Sequence, residues 1–325
     1  MTATMDHTTA PGAEPVQKRR RPAKPKPPVR KRAPRPRQAA KPAGPPGTAE
    51  STAAVLSSAF TMIAIVCLWA VVQMLFLSSV SQNRAQDLLY EQFRHELGGA
   101  TAPVGPVVPV GDPVALLTIP SIGLEQVVVE GTASGDLLVG PGHRRDTALP
   151  GQVGTAVVYG RAATYGGPFA DLTELAPGDK IAVTVGQGRK VFKVVGVRRA
   201  GDPLPQPAAE GAARLTLVTA EGSGRLGALA PQSVVYVDAD AKKGFAAPAG
   251  RAPAVPQSEQ SMEGDASALP LLALCLALLL AVALGVVAAR QRWSTALGWV
   301  VATPLVIALS WATTDVVMRL LPNLI

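Results

Sequence analysis

Three long stretches of the chain carry no charged residue and are dominated by apolar side chains. The first lies between Glu50 and Arg84 and centres on residues 53–80, AAVLSSAFTMIAIVCLWAVVQMLFLSSV. The second and third lie between Asp265 and Arg290 and between Arg292 and Asp315, with cores at 267–289 and 294–314. About 20 consecutive apolar residues span the hydrocarbon core of a bilayer. The pattern therefore predicts three transmembrane helices, with Pro304 tolerated inside the third. The first run begins too far along and is too long for a cleaved signal peptide, and reads as a signal anchor. Residues 81–97 (SQNRAQDLLYEQFRHEL) follow a helical period that places Leu88, Leu89, Phe93 and Leu97 on one face, which predicts a juxtamembrane helix.

Between two Gly/Pro-rich stretches read as linkers, 98–113 and 241–265, the period changes. Short apolar and β-branched runs at 115–119, 124–130, 154–160, 180–185, 189–198, 214–219 and 233–238 are broken by turn residues such as Pro177-Gly178-Asp179 and Gly186-Gln187-Gly188. Only short helices fit, near 134–138 and 168–175. This predicts a mainly β extracytoplasmic domain over 114–240, a closed β-barrel.

Charge adds an orientation. The formal net charge is +8, from 31 Lys+Arg against 23 Asp+Glu, and mean hydropathy is +0.24. Residues 1–50 alone hold twelve basic and three acidic side chains, so the excess sits in this Pro-rich tail, which is read as disordered. No nucleic-acid-binding signature accompanies it, and it is expected to bind anionic lipid and fix topology instead. Arg290 and Arg292 lie in the short loop between the last two apolar runs. Both features place the N-terminus and that loop in the cytoplasm and the β domain outside, in a multi-pass cell-membrane protein.

Candidate chemistry is sparse. The two cysteines, Cys67 and Cys275, both fall inside apolar runs, and the three histidines, His7, His95 and His143, are far apart. No metal site and no cofactor is expected from such a set.

The blocks LLTIPSIGLEQVVVEGT, LLVGPGHRRDTALPGQVGTAVVYG, TYGGPFADLTELAPGDKIAV and RLTLVT occur in order from 116 to 219. Together they resemble the sortases, in particular the class E type of high-GC Gram-positive bacteria, over about 114–240. The resemblance implies an eight-stranded barrel and a cysteine transpeptidase that joins secreted proteins to the cell wall. The family uses a cysteine nucleophile, a histidine acid/base and an arginine that stabilises the oxyanion or holds the peptide.

Carried over by motif, the histidine position is Arg161, ahead of Thr164-Tyr165-Gly166. The cysteine position is Ala220, after Leu215-Thr216-Leu217-Val218-Thr219. The arginine position is Gln232 or Ser233, before Val234-Val235. A methyl group cannot attack a carbonyl, and a guanidinium does not shuttle protons. The expected reading is a pseudoenzyme that binds or scaffolds a cell-envelope peptide or protein, such as an active sortase. The alternative is a transpeptidase or hydrolase with a non-cysteine nucleophile. The binding candidates are Arg161, His143, Tyr165 and Glu221. An ion pair of Arg161 with Glu221 is expected to plug the former active site, and His143 is read as a structural residue that bonds its loop.

Overall fold

The computed structural model describes residues 57, 60, 64–105, 107–222, 231, 233–289 and 295–325. The basic tail at 1–50, part of the anchor at 53–80, Gln232 and the loop with Arg290 and Arg292 lie outside the described residues.

Eight strands close into a barrel: β1 (Pro113–Ile119), β2 (Leu124–Glu130), β3 (Gly142–His143), β4 (Gly154–Tyr159), β5 (Lys180–Val185), β6 (Gly188–Arg199), β7 (Ala213–Glu221) and β8 (Ser233–Ala241). The order around the barrel is β1-β2-β3-β4-β7-β8-β6-β5, and β5 returns to pair with β1. The β2–β3 and β4–β7 pairs are parallel and the others antiparallel. The seven runs read from the sequence are strands. The eighth, β3, has two residues, too few to show a period of two. The stretches read as short helices at 134–138 and 168–175 contain single 3-10 turns, Asp136–Leu138 and Leu172–Glu174.

The period-2 alternation separates the two faces. Ala156 and Val158 of β4, Leu215 and Leu217 of β7, and Val237 and Ala239 of β8 point into the barrel core, with Ile181, Val183, Phe192 and Val194 from β5 and β6. Phe169, Leu172 and Leu175, from the loop after β4, join that core. Gly160 is required here, since a Cβ on it would lie 2.3 Å from the Phe169 ring. The outward residues of the same strands form a second apolar surface, described below.

A helix leads into the barrel. Residues 64–72 are helical and pass through a π-helical turn, Gln73–Leu77, into α1 (Ser78–Gly98). The buried residues of α1 are Ser78, Gln82, Gln86 and Phe93. The face expected from the sequence is corrected at one position: Leu88 is 65% exposed, because the packed stripe runs through Gln82 and Gln86. The reason is the partner surface, which offers polar groups. Gln86 accepts from the Val127 amide at 2.7 Å and donates to the carbonyls of Val127 and Val139 at 3.1 and 2.8 Å. Gln82 donates to Gln126 at 2.7 Å.

Two helices at the other end, α2 (Leu269–Ala289) and α3 (Thr295–Leu320), pack on each other through Ala268, Leu272, Cys275, Val316 and Leu320. The candidate spans are Ala266–Val286 and Val300–Leu320. Among the described residues two helices, not the expected three, are long and apolar enough to cross a membrane, because part of the first run is not described. The stretch 241–265 is more than a linker: Phe245 joins the barrel core, Gln152 bridges to it, and Glu259 is buried.

Gln86→Ala leaves a buried amide and two carbonyls without their partner, at about 1–3 kcal/mol per stranded group. We expect this variant to lose the protection of the Val127 amide against hydrogen exchange and to melt several degrees earlier in detergent. An unchanged Val127 exchange rate would contradict the docking role given to α1.

Candidate functional site

On the outer face of the sheet, Val157 and Tyr159 of β4, Val218 and Ala220 of β7, and Val234 and Tyr236 of β8 lie side by side. The register explains the grouping. Ala220 pairs with Val234 and Tyr159 with Val218, so the three strand ends meet at one place. The loop after β4 turns over this surface. Its Gly160 amide donates to Val218 O at 3.0 Å, and Thr219 Oγ1 donates to Gly160 O at 3.0 Å. Arg161 therefore enters beside the end of β7. The sequence-derived positions Arg161 and Ala220 do come together, with Ser233 one residue beyond the Ala220–Val234 pair, while Gln232 is not described.

Arg161 is fully buried. Its Nη2 donates to the Ser134 carbonyl and to Ser134 Oγ, both at 2.8 Å. Its Nη1 donates to Thr164 Oγ1 at 3.1 Å and to the Ile325 carbonyl at 3.0 Å. The guanidinium carbon lies 5.5 Å from the centre of the Tyr165 ring. Burial lowers its pKa to about 10, still well above neutrality, so the group is a fixed cation. Its Nε is buried and has no hydrogen-bond partner among the described residues.

The expected Arg161–Glu221 pair does not form. Glu221 instead accepts from Arg199 Nε and Nη2 at 2.6 and 2.9 Å, and this cation holds its carboxyl below the usual range. The cause is strand direction: Glu221 alternates away from Ala220 toward β6, where Arg199 stands at the strand end.

His143 is also elsewhere. It is buried on β3, with Nδ1 2.8 Å from Glu130 Oε2 and Nε2 2.8 Å from the Ala148 carbonyl. Both ring nitrogens are engaged, one by Glu130 at the end of β2 and one by the loop after β3, which leaves neither to meet a ligand.

Tyr165 does belong to the site. It is buried at φ +51°, a conformation rare outside glycine. Its hydroxyl donates to Asp315 of α3, its amide donates to Ser78 Oγ of α1 at 3.2 Å, and its ring packs with Leu138 and Met318. Burial drives its hydroxyl pKa far upward. It ties the site loop to both helices.

No motif or periodicity along the chain announces what covers this surface. After α3 the chain leaves the helix at Leu321-Pro322, a step that proline enforces, and residues 323–325 lie down in the cleft. Leu324 is fully buried among Leu137, Tyr159, Ala162, Val218 and Ala220. The Ala162 amide donates to Leu324 O at 3.0 Å, and Thr164 Oγ1 donates to Ile325 O at 2.5 Å. Asn323 is held at every polar atom of its side chain. Nδ2 donates to the Thr132 and Gln260 carbonyls at 2.8 Å each, and Oδ1 accepts from the Met262 amide at 3.0 Å. Thr132, Ser134, Gln260 and residues 323–325 escaped sequence reading because none belongs to a periodic element.

Comparison with known proteins follows the same outline. The sortase domain family model matches residues 117–239. Sortase D of Bacillus subtilis (strain 168) is 33% identical over 85 residues, which are 26% of this chain and 41% of that protein. The chain thus spans less than half the length of this curated relative. SrtA sortase from Actinomyces oris is 27% identical with a TM-score of 0.36, over 48% of this chain and 92% of that one. A mutant of sortase E from Streptomyces avermitilis is 27% identical with a TM-score of 0.34, over 47% and 100%. Over residues 117–239 the chain is therefore similar to the sortase domain.

The turn that supplies Ser134 carries a titration signature. Asp136 Oδ2 accepts from the Ala133 amide at 3.1 Å, and burial pushes its carboxyl up to about 6 from 3.8 against the effect of that bond, with the nearby Glu259 charge adding to the rise. Between about pH 4 and pH 6 the folded chain holds a proton that the unfolded chain has released. The contribution of Asp136 to stability therefore falls as pH rises through that window, by roughly 3 kcal/mol for two pKa units. Asp136→Asn keeps an acceptor for Ala133 and has no charge to bury. We expect this variant to melt above the parent at pH 8 and to lose part of the parent's drop in melting temperature between pH 4.5 and pH 8. Parallel melting curves for the two chains at both pH values would contradict it.

Proposed function

We propose that this chain is a catalytically inert, membrane-anchored sortase-like protein of class E type whose outer cleft binds peptide and does not cut it. One observation carries the proposal. At the place where the resemblance puts a thiolate, the wall of the cleft is the methyl group of Ala220, which packs against Leu324. The cysteines that exist, Cys67 and Cys275, lie in helices outside the barrel. Arg161, at the histidine position, is a buried cation bonded through both terminal nitrogens, and it stays protonated at neutral pH, where it cannot take up a proton. On this reading the nucleophile is replaced by a methyl group that packs against an aliphatic side chain, and the proton carrier by a cation that donates to a main-chain oxygen.

The two apolar helices, together with the apolar run at 53–80, support a multi-pass arrangement with the basic tail inside and the barrel outside. In that arrangement the cleft faces the cell envelope, and its partner is an envelope peptide or protein, including an active sortase. The basic tail binds anionic lipid. Arg161 and Tyr165 are the binding residues this reading retains.

The test is a transpeptidation assay on the full chain in detergent micelles, with a sorting-signal peptide and an amine acceptor. We expect no product above the buffer background, for the parent and for Arg161→Met alike. Product formation by the parent that Arg161→Met abolishes would establish an active enzyme with a different nucleophile and overturn the proposal.

A further inference from the structure

The segment in the cleft is bound in the way a recognised peptide is bound. Three kinds of contact converge on three consecutive residues. The Asn323 side chain is read by two carbonyls and an amide, the Leu324 side chain fills an aliphatic pocket, and the main chain of Leu324 and Ile325 is read by the Ala162 amide, Thr164 and Arg161. None of these residues belongs to a strand of the barrel. They arrive from the end of α3, and the barrel closes through β1 and β5 without them.

The floor of the groove is shaped for an occupant. Ala162 and Ala220 are small where Leu324 enters, and a larger side chain at either place would fill the space. The occupant also leaves the groove incompletely used. Arg161 is fully buried, yet its Nε has no acceptor among the described residues, so the groove offers a donor that Ile325 does not engage. A buried unpaired N–H is costly, and a ligand with one more acceptor would relieve it.

We propose that Asn323–Ile325 is a built-in peptide ligand. It occupies a recognition groove on the outer face of β4, β7 and β8 that takes an extended peptide with an amide side chain followed by two aliphatic ones. It must leave before a second peptide binds there. The inference rests on the reading of the cleft as a peptide site and adds the ligand class and the state of the groove.

Tethering sets the size of the effect. A segment joined by a short connection competes at an effective concentration on the order of millimolar. The groove is then open only in the small fraction of molecules whose segment has left, and apparent affinity for an external peptide falls by that fraction. For a peptide of roughly 10 μM intrinsic affinity the suppression is about 100-fold.

The experiment measures binding of a fluorescent Leu-Pro-Asn-Leu-Ile peptide, acetylated and amidated at its ends, by anisotropy in detergent. It compares the full chain, a chain stopped after Leu320, and full-length Leu324→Asp, whose charged side chain cannot enter the pocket. We expect both altered chains to bind the peptide at least about tenfold more tightly than the full chain. A peptide with aspartate in place of its first aliphatic residue after asparagine should not bind. Arg161→Met in the stopped chain should weaken binding.

Hydrogen exchange on the full chain supplies a readout that survives a folding failure of the stopped chain. The Ala162 and Asn323 amides should be protected in the parent, and Ala162 should be exposed in Leu324→Asp. Equal peptide binding by all three chains, or fast exchange at both amides in the parent, would overturn the proposal. The reading of the chain as inert fails separately: cleavage of the bound peptide by the stopped chain would overturn inertness and leave the built-in ligand standing.

Discussion

The outer face of this protein is organised by the need to satisfy one buried guanidinium. An arginine withdrawn from water costs several kcal/mol unless its hydrogen-bonding groups find partners. Among the described residues no acidic side chain is paired with Arg161. Its partners are a carbonyl and hydroxyl at Ser134, a hydroxyl at Thr164 and a carbonyl at Ile325. Those three points belong to the turn after β2, the loop after β4 and the stretch beyond α3. One side chain therefore fixes three segments that are remote in sequence. The rest of the face follows: Ser134 Oγ donates to Met318 O at the end of α3, and Tyr165, next to Thr164, reaches Asp315 one turn earlier.

The same constraint couples the barrel to the apolar helices. The last two turns of α3 contact the site through Asp315 and Met318, and the Arg319 carbonyl accepts from the Asp265 amide at 2.8 Å. The helix leading into α1 meets α3 where Gln73 donates to Trp311 O at 3.2 Å, and Ser78 receives the Tyr165 amide. A displacement of α3 along its axis would act on all of these contacts and on residues 321–325 in continuation. The cleft is thus built so that its contents depend on where a membrane-type helix sits.

The strands were legible because seven of them are five or more residues long, enough for a period of two or, as in β7, a continuous apolar run bounded by turn residues to appear. The Arg161–Ala220 neighbourhood was legible through motif order. The polar stripe of α1 was not, since a hydrophobic pattern cannot announce a face that docks through glutamines onto backbone groups. Glu221 was misassigned for a similar reason: adjacency to Ala220 in sequence places its side chain on the opposite face of the strand, where Arg199 waits. The occupant of the cleft was the least legible. Asn323 and Leu324 follow an apolar helix, and their partners lie more than sixty positions away.

On the proposed reading, alanine in place of a nucleophile and arginine in place of a proton carrier make physical sense together. Either change alone would leave a flawed catalytic site, with a bulky side chain facing space or a cation beside a thiol. Jointly, on that reading, they suit the place to receiving a peptide. Alanine makes room for an aliphatic side chain over β7, and arginine supplies fixed donors to the carbonyl that follows it. Arg161 and Thr164 both donate to one main-chain oxygen of Ile325, an arrangement that resembles the one that stabilises an oxyanion. A site of the proposed kind gains affinity from the features that a catalyst reserves for the transition state, and tight, unreactive binding of peptide is what the proposal expects of it.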